Sequence, residues 1–252
     1  MNSTIETMLN HRSIRKFTDR QLSAEELNTI YEVARRTSSS IYLQQFSIIH
    51  VSDRKIRKAI SQICNQEFIN QPGGDLFIFL ADLHRNYQLR KEAGLTADRL
   101  ENMDLFTQAL ADATLAISNS LTVAESMGLG GVFLGSIKND SEQVGKLLKL
   151  PKFVIPALGL LIGEPADRSQ LKPRIPKKVM VFENTYSEKE ISLADLTEFD
   201  QEVNEYYSKR DKNARDDNFT NQIVGSASVL NPQKIKRDEM LAYYHKQGLI
   251  KR

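Results

Sequence analysis

Apolar residues recur along the chain in short runs separated by helix-like stretches, and this pattern predicts alternating strands and helices. Four runs are typical of core strands, because a run with few polar residues is buried on both faces. They are Phe46 to Ser52, Leu76 to Leu83, Gly130 to Ile137 and Val154 to Gly163. Pro156 predicts an irregular start to the last strand. We therefore expect an α+β fold with a mixed central sheet of about four core strands flanked by helices.

Helix starts are predicted from capping residues that precede apolar positions spaced three or four apart. Ser3 with Glu6 and Ser23 with Glu26 match the capping-box pattern, in which the first side chain and the fourth each bond the other's backbone N–H. Asp53 is suited to cap a third helix, after the first strand.

The longest predicted helix runs from about Asn102 to Met127 and ends before Gly128. Its interior is rich in alanine and serine, and small side chains permit close approach by neighbouring elements. We therefore place it centrally in the fold.

The pattern changes after Pro165, where no further core-like strand follows. One helix is predicted from about Leu193 to Lys209 and another is opened by Asn231 and Pro232, with a polar loop between them. We divide the chain into a core, residues 1–165, and a C-terminal extension with a helical arm, residues 166–252, within a single structural domain.

Composition restricts the function classes. Thirty-four Lys and Arg residues against 32 Asp and Glu give a net charge of +2, which favours neither nucleic acid nor an anionic membrane as partner. Cys64 is the only cysteine and lies in an apolar helical stretch, so we expect a buried structural thiol. Four scattered histidines lack ligand spacing, which predicts no metal. Without a signal-like start or a membrane-length apolar run, we expect a soluble cytoplasmic protein.

Hydrogen-bond donors are concentrated in the segment HRSIRKF at 11–17. On an extended backbone His11, Ser13 and Arg15 face one way, and positions 12, 14 and 16 face the other. Three donors on one side, one of them permanently charged, are typical of half a phosphate site. A solvated basic turn is the alternative that this pattern leaves open.

The second half of such a site could be Lys172-Pro173-Arg174. Pro173 fixes its own φ and disfavours a helical Lys172, so both cations lie on a stiffened segment with less freedom to lose on binding. A basic, proline-rich linker is the alternative. Gly135, inside a predicted strand, indicates close approach of a ligand or of another backbone.

The sequence contains no nucleophile elbow, no P-loop and no glycine-rich dinucleotide fingerprint. We therefore predict no catalytic side chain. Donors and glycines without a marked acid, base or nucleophile suit a bound organic cofactor that carries its own reactivity.

The chain resembles the nitroreductase family of flavoproteins. Within that family it is similar to the larger NADPH-preferring nitroreductases and flavin reductases. The matching stretches are HRSIRKF at 11–17, TSSS at 37–40 with Gln44, AESMGLGGVFLGSI at 124–137, KLLKLP at 146–151, LKPR at 171–174, EYYSKR at 205–210 and YYHKQG at 243–248. The resemblance implies a nitroreductase-like fold that forms a homodimer, with each FMN in a cleft between subunits. Residues 1–165 would be the FMN-binding core, and 166–252 would complete the site.

The resemblance also implies which residues bind FMN. They lie in five short segments: His11, Arg12, Ser13, Ile14, Arg15, Ser39, Gln66, Phe133, Leu134, Gly135, Ser136, Lys172, Pro173 and Arg174. The phosphate would meet His11, Arg15, Lys172 and Arg174.

Other members of this set would hold the rest of the cofactor. Ser13, Ser39 and Gln66 would hold the ribityl chain and the ring edge, and residues 133–136 would lie along the isoalloxazine. Arg210 and Arg215, on the arm, would contact the extra phosphate of NADPH.

The implied activity is an FMN-dependent NADPH oxidoreductase that works by a ping-pong mechanism. NADPH would pass hydride to the flavin N5 and leave, and a nitroaromatic, a quinone or a free flavin would then take its place. An NADPH:FMN oxidoreductase that releases reduced flavin to a partner is an alternative which the sequence does not separate. A non-catalytic nucleotide-binding module is the rival from another class, and the basic residues lack the interleaved aromatics that nucleic-acid binding favours.

Overall fold

The computed structural model describes residues 2–186, 192–210, 214–225 and 235–252. The chain divides into two compact units, one formed by Met1–Ser169 with Pro232–Arg252 and the other by Gln170–Asn231. The helices and strands of the first unit are α1 (Ser3–Leu9), α2 (Ala24–Arg35), β1 (Phe46–Val51), α3 (Arg54–Cys64), β2 (Asp75–Asp82), α4 (His84–Glu92), α5 (Met103–Ser126), β3 (Gly130–Leu134), α6 (Ser141–Leu147), β4 (Val154–Gly163) and α9 (Met240–Lys246). Those of the second are α7 (Thr197–Ser208) and α8 (Phe219–Val224).

The four predicted core strands form one sheet in the order β1-β2-β4-β3. Each neighbouring pair is antiparallel, so the prediction of a mixed sheet was wrong for these strands. The predicted irregularity at Pro156 is confirmed, because the β2–β4 register shifts between Phe79 and Leu80, opposite this proline. β3 ends at Leu134, three residues earlier than predicted, and Gly135–Asp140 forms a 3-10 helix.

β2 separates two hydrophobic clusters, because its alternate side chains point to opposite faces. Leu76, Ile78 and Leu80 pack with residues of α3 such as Ile60. On the other face, Phe77 and Phe79 pack with residues of α2 and α5. The first unit is therefore a sheet with helices on both sides, and β2 is buried on both faces as its apolar run predicts.

The long helix α5 lies against the sheet, which confirms its predicted central position. Asn102 caps it by accepting a hydrogen bond from the Leu105 N–H at 2.9 Å. Alanines such as Ala113 and Ala116 are fully buried in it, where their small side chains allow the helix to approach its neighbours.

Two of the three predicted caps are confirmed. Ser23 and Glu26 form both arms of a capping box at α2, and Asp53 accepts hydrogen bonds from the first turn of α3. The box predicted at Ser3 was wrong. Ser3 is itself helical, and the side chain of Asn2 caps α1 by accepting from the Ile5 N–H.

The sequence pattern missed α4 and α8. Neither helix has a buried residue, so no apolar stripe marks them. α9 begins at Met240 after a 3-10 turn, Arg237–Glu239. Its predicted opening at Asn231 and Pro232 lies outside the described residues.

The second unit has its own small apolar cluster. The predicted helix over 193–209 is confirmed as a 3-10 turn, Leu193–Leu196, that continues into α7. Phe199, Val203 and Tyr207 of α7 are buried, and the rings of Phe199 and Phe219 lie 5.3 Å apart. Among the helices described in both units, none has the length and apolar character needed to cross a bilayer.

Candidate functional site

The segment 11–17 lies along the edge of the sheet beside β3. The Ile14 N–H donates to the Gly131 carbonyl at 2.9 Å, and Ser13 forms a parallel bridge with the same glycine. A Cβ on Gly130 would approach the Ile14 side chain to 2.5 Å, so this contact requires glycine. The segment 11–17 is therefore hydrogen-bonded to β3, the strand that leads into residues 133–136.

Of the side chains at positions 12, 14 and 16, one is buried, Arg12 is half-buried and Lys16 is exposed, so the burial does not follow the predicted alternation. Ile14 is buried in the core. The Lys16 ammonium pairs with Asp167 at 2.7 Å, and the Arg12 guanidinium donates to the carbonyl of Ser169 at 3.3 Å. These contacts orient the segment, and the shared face of His11, Ser13 and Arg15 stays a prediction.

His11 has a partner that the sequence analysis missed. Its Nδ1 lies 2.7 Å from the Glu125 carboxylate, which belongs to the last turn of α5. Ser13 is half-buried and Arg15 is exposed. The Gln71 amide donates to the Arg15 carbonyl at 3.0 Å and so fixes the backbone there.

An open, partly apolar surface follows β3 at residues 133–136. Phe133 is exposed, Leu134 is buried beneath it, and a Cβ on Gly135 would meet nothing within 4 Å. Gly135 opens the 3-10 helix after β3, so its predicted place inside a strand was wrong, and its contact with a ligand stays a prediction. A flat ring system fits such a surface, so these residues suit the isoalloxazine of FMN.

Ser136 is directed toward the interior. Its hydroxyl is hydrogen-bonded to the Cys64 thiol, and burial raises the pKa of Cys64 to about 11. Cys64 is therefore the buried, inert thiol that the sequence predicts.

Two cations that the sequence analysis did not single out lie beside Gly135. The Arg237 guanidinium donates to the Gly135 carbonyl at 3.1 Å and to the Asn139 side chain at 3.2 Å. Burial, and then the charge of Arg237, lower the pKa of Lys138. Arg237 thus places a positive group at one end of the open surface, and no motif in the sequence indicates it.

Ser39 and Gln66 lie in turns of the first unit. Ser39 precedes the 3-10 turn Ser40–Tyr42, and the backbone that follows is held by Asp112, which accepts from the N–H groups of Ser40 and Gln45 at 2.9 and 3.0 Å. Gln66 is exposed, and its carbonyl accepts from the Ser61 hydroxyl. Their proposed contacts with FMN stay predictions.

Three cations of the second unit surround the ring of Tyr207. Lys172 Nζ, Arg210 Cζ and Arg215 Cζ lie 5.7, 5.8 and 4.1 Å from the ring centroid. Burial would raise the pKa of Tyr207, but hydrogen bonds with Gln222 and Lys172 and the charges of Lys172 and Arg215 outweigh it, so the pKa is lowered. We call Lys172, Arg210, Arg215 and Tyr207 the tyrosine-centred cation cluster. It can attract an anion such as a phosphate.

Arg174 is oriented by its own tripeptide. Its guanidinium donates to the carbonyls of Lys172 at 2.7 Å and of Pro173 at 3.2 Å. The stiffness predicted for Lys172-Pro173-Arg174 is therefore reinforced by local hydrogen bonds.

No group of three or more His, Cys, Asp or Glu side chains in the described part of the chain is placed to hold a metal ion. An α+β core with donors beside an open, partly apolar surface is compatible with a protein that holds a phosphorylated organic cofactor.

Comparison with known proteins identifies the family. Residues 8–163 match the nitroreductase family, and residues 172–252 match the nitroreductase family C-terminal domain. The chain belongs to the nitroreductase family.

Individual relatives cover nearly the whole chain. It is 40% identical over 229 residues to an FMN reductase (NADPH) of Bacillus subtilis (strain 168), covering 89% of this chain and 91% of the relative. It is 39% identical over 249 residues to an oxygen-insensitive NADPH nitroreductase of Salmonella typhimurium, covering 98% of each. The structure of an NADPH:FMN oxidoreductase from Vibrio harveyi complexed with NAD+ is similar with a TM-score of 0.86 and 33% identity, covering 100% of both chains.

Proposed function

We propose that this protein is an FMN-dependent NADPH oxidoreductase of the nitroreductase family. The observation that carries the proposal is the face of residues 11–15, held by β3 beside the open surface at Gly135. Donors for a phosphate and space for a flat ring thus lie on one continuous stretch of structure. The relatives named for FMN and NADPH support the same function.

FMN supplies the redox chemistry when bound, because its N5 can accept hydride from NADPH and pass it to an acceptor. The protein supplies binding and orientation. His11 and Arg15 are the proposed phosphate ligands of the first unit, with Ser13, Ser39 and Gln66 along the ribityl chain. Phe133 and Gly135 offer the surface for the ring.

Lys172, Pro173 and Arg174 are further proposed ligands of the FMN phosphate, as the family resemblance implies. Arg210 and Arg215 are proposed to bind the extra phosphate of NADPH. The tyrosine-centred cation cluster supports this role, since it brings three positive groups together around one ring, of which Arg215 is paired with Asp217.

The proposed acceptors are nitroaromatics, quinones and flavins. One relative is named a nitroreductase and another an FMN reductase, so both kinds of acceptor are represented at about 40% identity. Release of reduced FMN to a partner is therefore the second candidate function. The predicted cytoplasmic location stays a prediction.

The test is the absorption spectrum of the purified protein, followed by steady-state assays. We expect an oxidised-flavin spectrum, release of FMN on denaturation, and faster turnover with NADPH than with NADH. A colourless protein that added FMN cannot convert to the flavin form would contradict the proposal. Comparing a nitrofuran with free FMN as acceptor separates the two candidate functions.

A further inference from the structure

Glu125 lies in an electrostatically unfavourable place. It is the penultimate residue of α5, where the unpaired carbonyls of a helix carry partial negative charge. Its side chain is only 13% exposed, so the carboxylate also loses much of its hydration. The stability of α5 therefore does not account for an acid at this position.

The contact with His11 does account for it. Because an ionised carboxylate has no hydrogen to donate, the Nδ1 of His11 carries the proton in their 2.7 Å contact. The Nε2 of the ring can then donate to an anion only when the imidazole carries both hydrogens. The Glu125 carboxylate compensates the positive charge of that form.

The backbone on both sides of this pair is fixed. α5 ends in a turn where the Leu129 N–H donates to the Ala124 carbonyl at 3.0 Å, and the chain then enters β3, whose Gly131 accepts from Ile14. Glu125 and His11 thus meet across two segments held in register. This arrangement restricts the imidazole before any ligand arrives, which reduces the entropy lost on binding.

We propose that Glu125 is a positioning residue for the cofactor phosphate. It holds the His11 ring through Nδ1, so that Nε2 is directed to the anion, while its own carboxylate does not touch the ligand. The proposal rests on the proposed function, because it takes FMN phosphate as the anion that His11 meets.

A double-mutant cycle tests the proposal. The variants are Glu125→Gln, His11→Ala and their combination, and the measurement is FMN dissociation on dilution of the holoprotein, followed by flavin fluorescence. We expect Glu125→Gln to weaken FMN binding about tenfold, the size of one lost charge-assisted hydrogen bond, and to add nothing in the His11→Ala background. Glu32→Gln, which neutralises an ion-paired acid in the last turn of α2, is the matched control and should change nothing.

Two further readouts distinguish positioning from a structural role. The chain has four histidines, so long-range ¹H–¹⁵N NMR can resolve the His11 ring, and Glu125→Gln should shift the resonance of its Nδ1, the atom that contacts Glu125. The melting temperature of the Glu125→Gln holoprotein should fall by no more than the roughly tenfold loss of FMN affinity accounts for, because folding and ligand binding are linked. A markedly larger fall would show a structural role and would overturn the proposal.

The cycle also separates this inference from the function on which it rests. If His11→Ala leaves FMN binding unchanged, His11 is not a phosphate ligand, and both the proposed site and the inference fail. If His11→Ala weakens binding and Glu125→Gln does not, or if their effects simply add, the inference alone is wrong.

Discussion

At the scale of single residues, the cations around Tyr207 are proposed to bind two different ligands. The sequence assigned Lys172 to FMN and Arg210 and Arg215 to NADPH, yet all three lie around one tyrosine ring. Arg215 is the nearest to the ring and is also paired with Asp217 at 2.8 Å. The two proposed roles can therefore be distinguished only by measuring the two ligands separately.

Replacing Arg215 with alanine should raise the KM for NADPH about tenfold and that for NADH much less. The reason is that a charge-assisted bond to the extra phosphate contributes about 1.5–3 kcal/mol, and NADH lacks that phosphate. FMN retention should be unchanged, whereas Lys172→Ala should weaken it. Lys178→Ala, an exposed cation of the same unit, is the control. Equal effects of Arg215→Ala on NADPH and NADH would contradict the role.

Glu26 should contribute to acid stability. Its hydrogen bond from Arg20, and then that from the Ser23 backbone, lower the pKa of Glu26 from 4.5 to about 2. A carboxyl with a depressed pKa in the folded state stabilises it above the unfolded pKa and loses that effect as the pH falls through the folded pKa.

We expect the melting temperature to fall between about pH 4.5 and 2 partly through Glu26, as its pKa values define this window. Glu26→Gln should be less stable than the parent at pH 6 and should show a shallower decline below pH 4.5. Glu25→Gln, in the same first turn, controls for the loss of charge alone. Parallel melting curves for Glu26→Gln and the parent would rule out this contribution.

At the scale of elements, the turn between α2 and β1 is the most strained part of the described chain near the candidate site. Ile41, Tyr42 and Gln44 have φ values of 41°, 62° and 50°, which side chains with a Cβ adopt at a cost of about 1–2 kcal/mol each. Asp112 of α5 holds both ends of this turn, and its side chain is 1% exposed. A long helix thus fixes the shape of a loop that exposes Ile41 and Tyr42.

Asp112→Asn should destabilise the protein by about 1–3 kcal/mol, because the amide keeps one acceptor oxygen and leaves one backbone N–H without its partner. Urea unfolding measures this loss. Asp104→Asn, an exposed acid in the first turn of the same helix, should cost no more than about 1 kcal/mol. Similar losses in both variants would show that the two N–H contacts contribute little.

At the scale of the whole molecule, exposed apolar side chains on α1 and α5 support the homodimer implied by the family resemblance. Met8 and Leu9 of α1 and Leu115 of α5 are about half exposed or more, at 60%, 64% and 49%. Exposed apolar side chains are typical of an interface when they form one contiguous patch. We propose a second copy of this chain as their partner.

Light scattering should give twice the 28.7 kDa mass of the chain. Leu115→Lys should shift the protein toward the monomer, because it would bury a charge in the proposed interface. Leu89→Lys on α4, where the leucine is 62% exposed, is the matched control and should leave the mass unchanged. A monomeric parent, or an unaffected Leu115→Lys variant, would argue against this face.

The local features of the fold could be predicted because they depend on neighbouring residues. The four strands, the boundaries of α5 and the Ser23 capping box follow from periodicity and capping, and the structure confirms them. The same reasoning missed α4, which has no buried face, and misplaced the first cap by one residue. The predicted strand directions were wrong, because the pairing of strands depends on the path that the chain takes between them.

The sequence by itself determined which side chains are available: the donors of 11–15, the stiff segment 172–174, and the family to which they belong. Only the tertiary structure decided what each one meets. Glu125 reaches His11 across 114 residues, and Asp112 spans both ends of a loop 67 to 72 residues away. Such contacts form where buried charges and N–H groups must find partners, and no local periodicity records which partner the folded chain brings within reach.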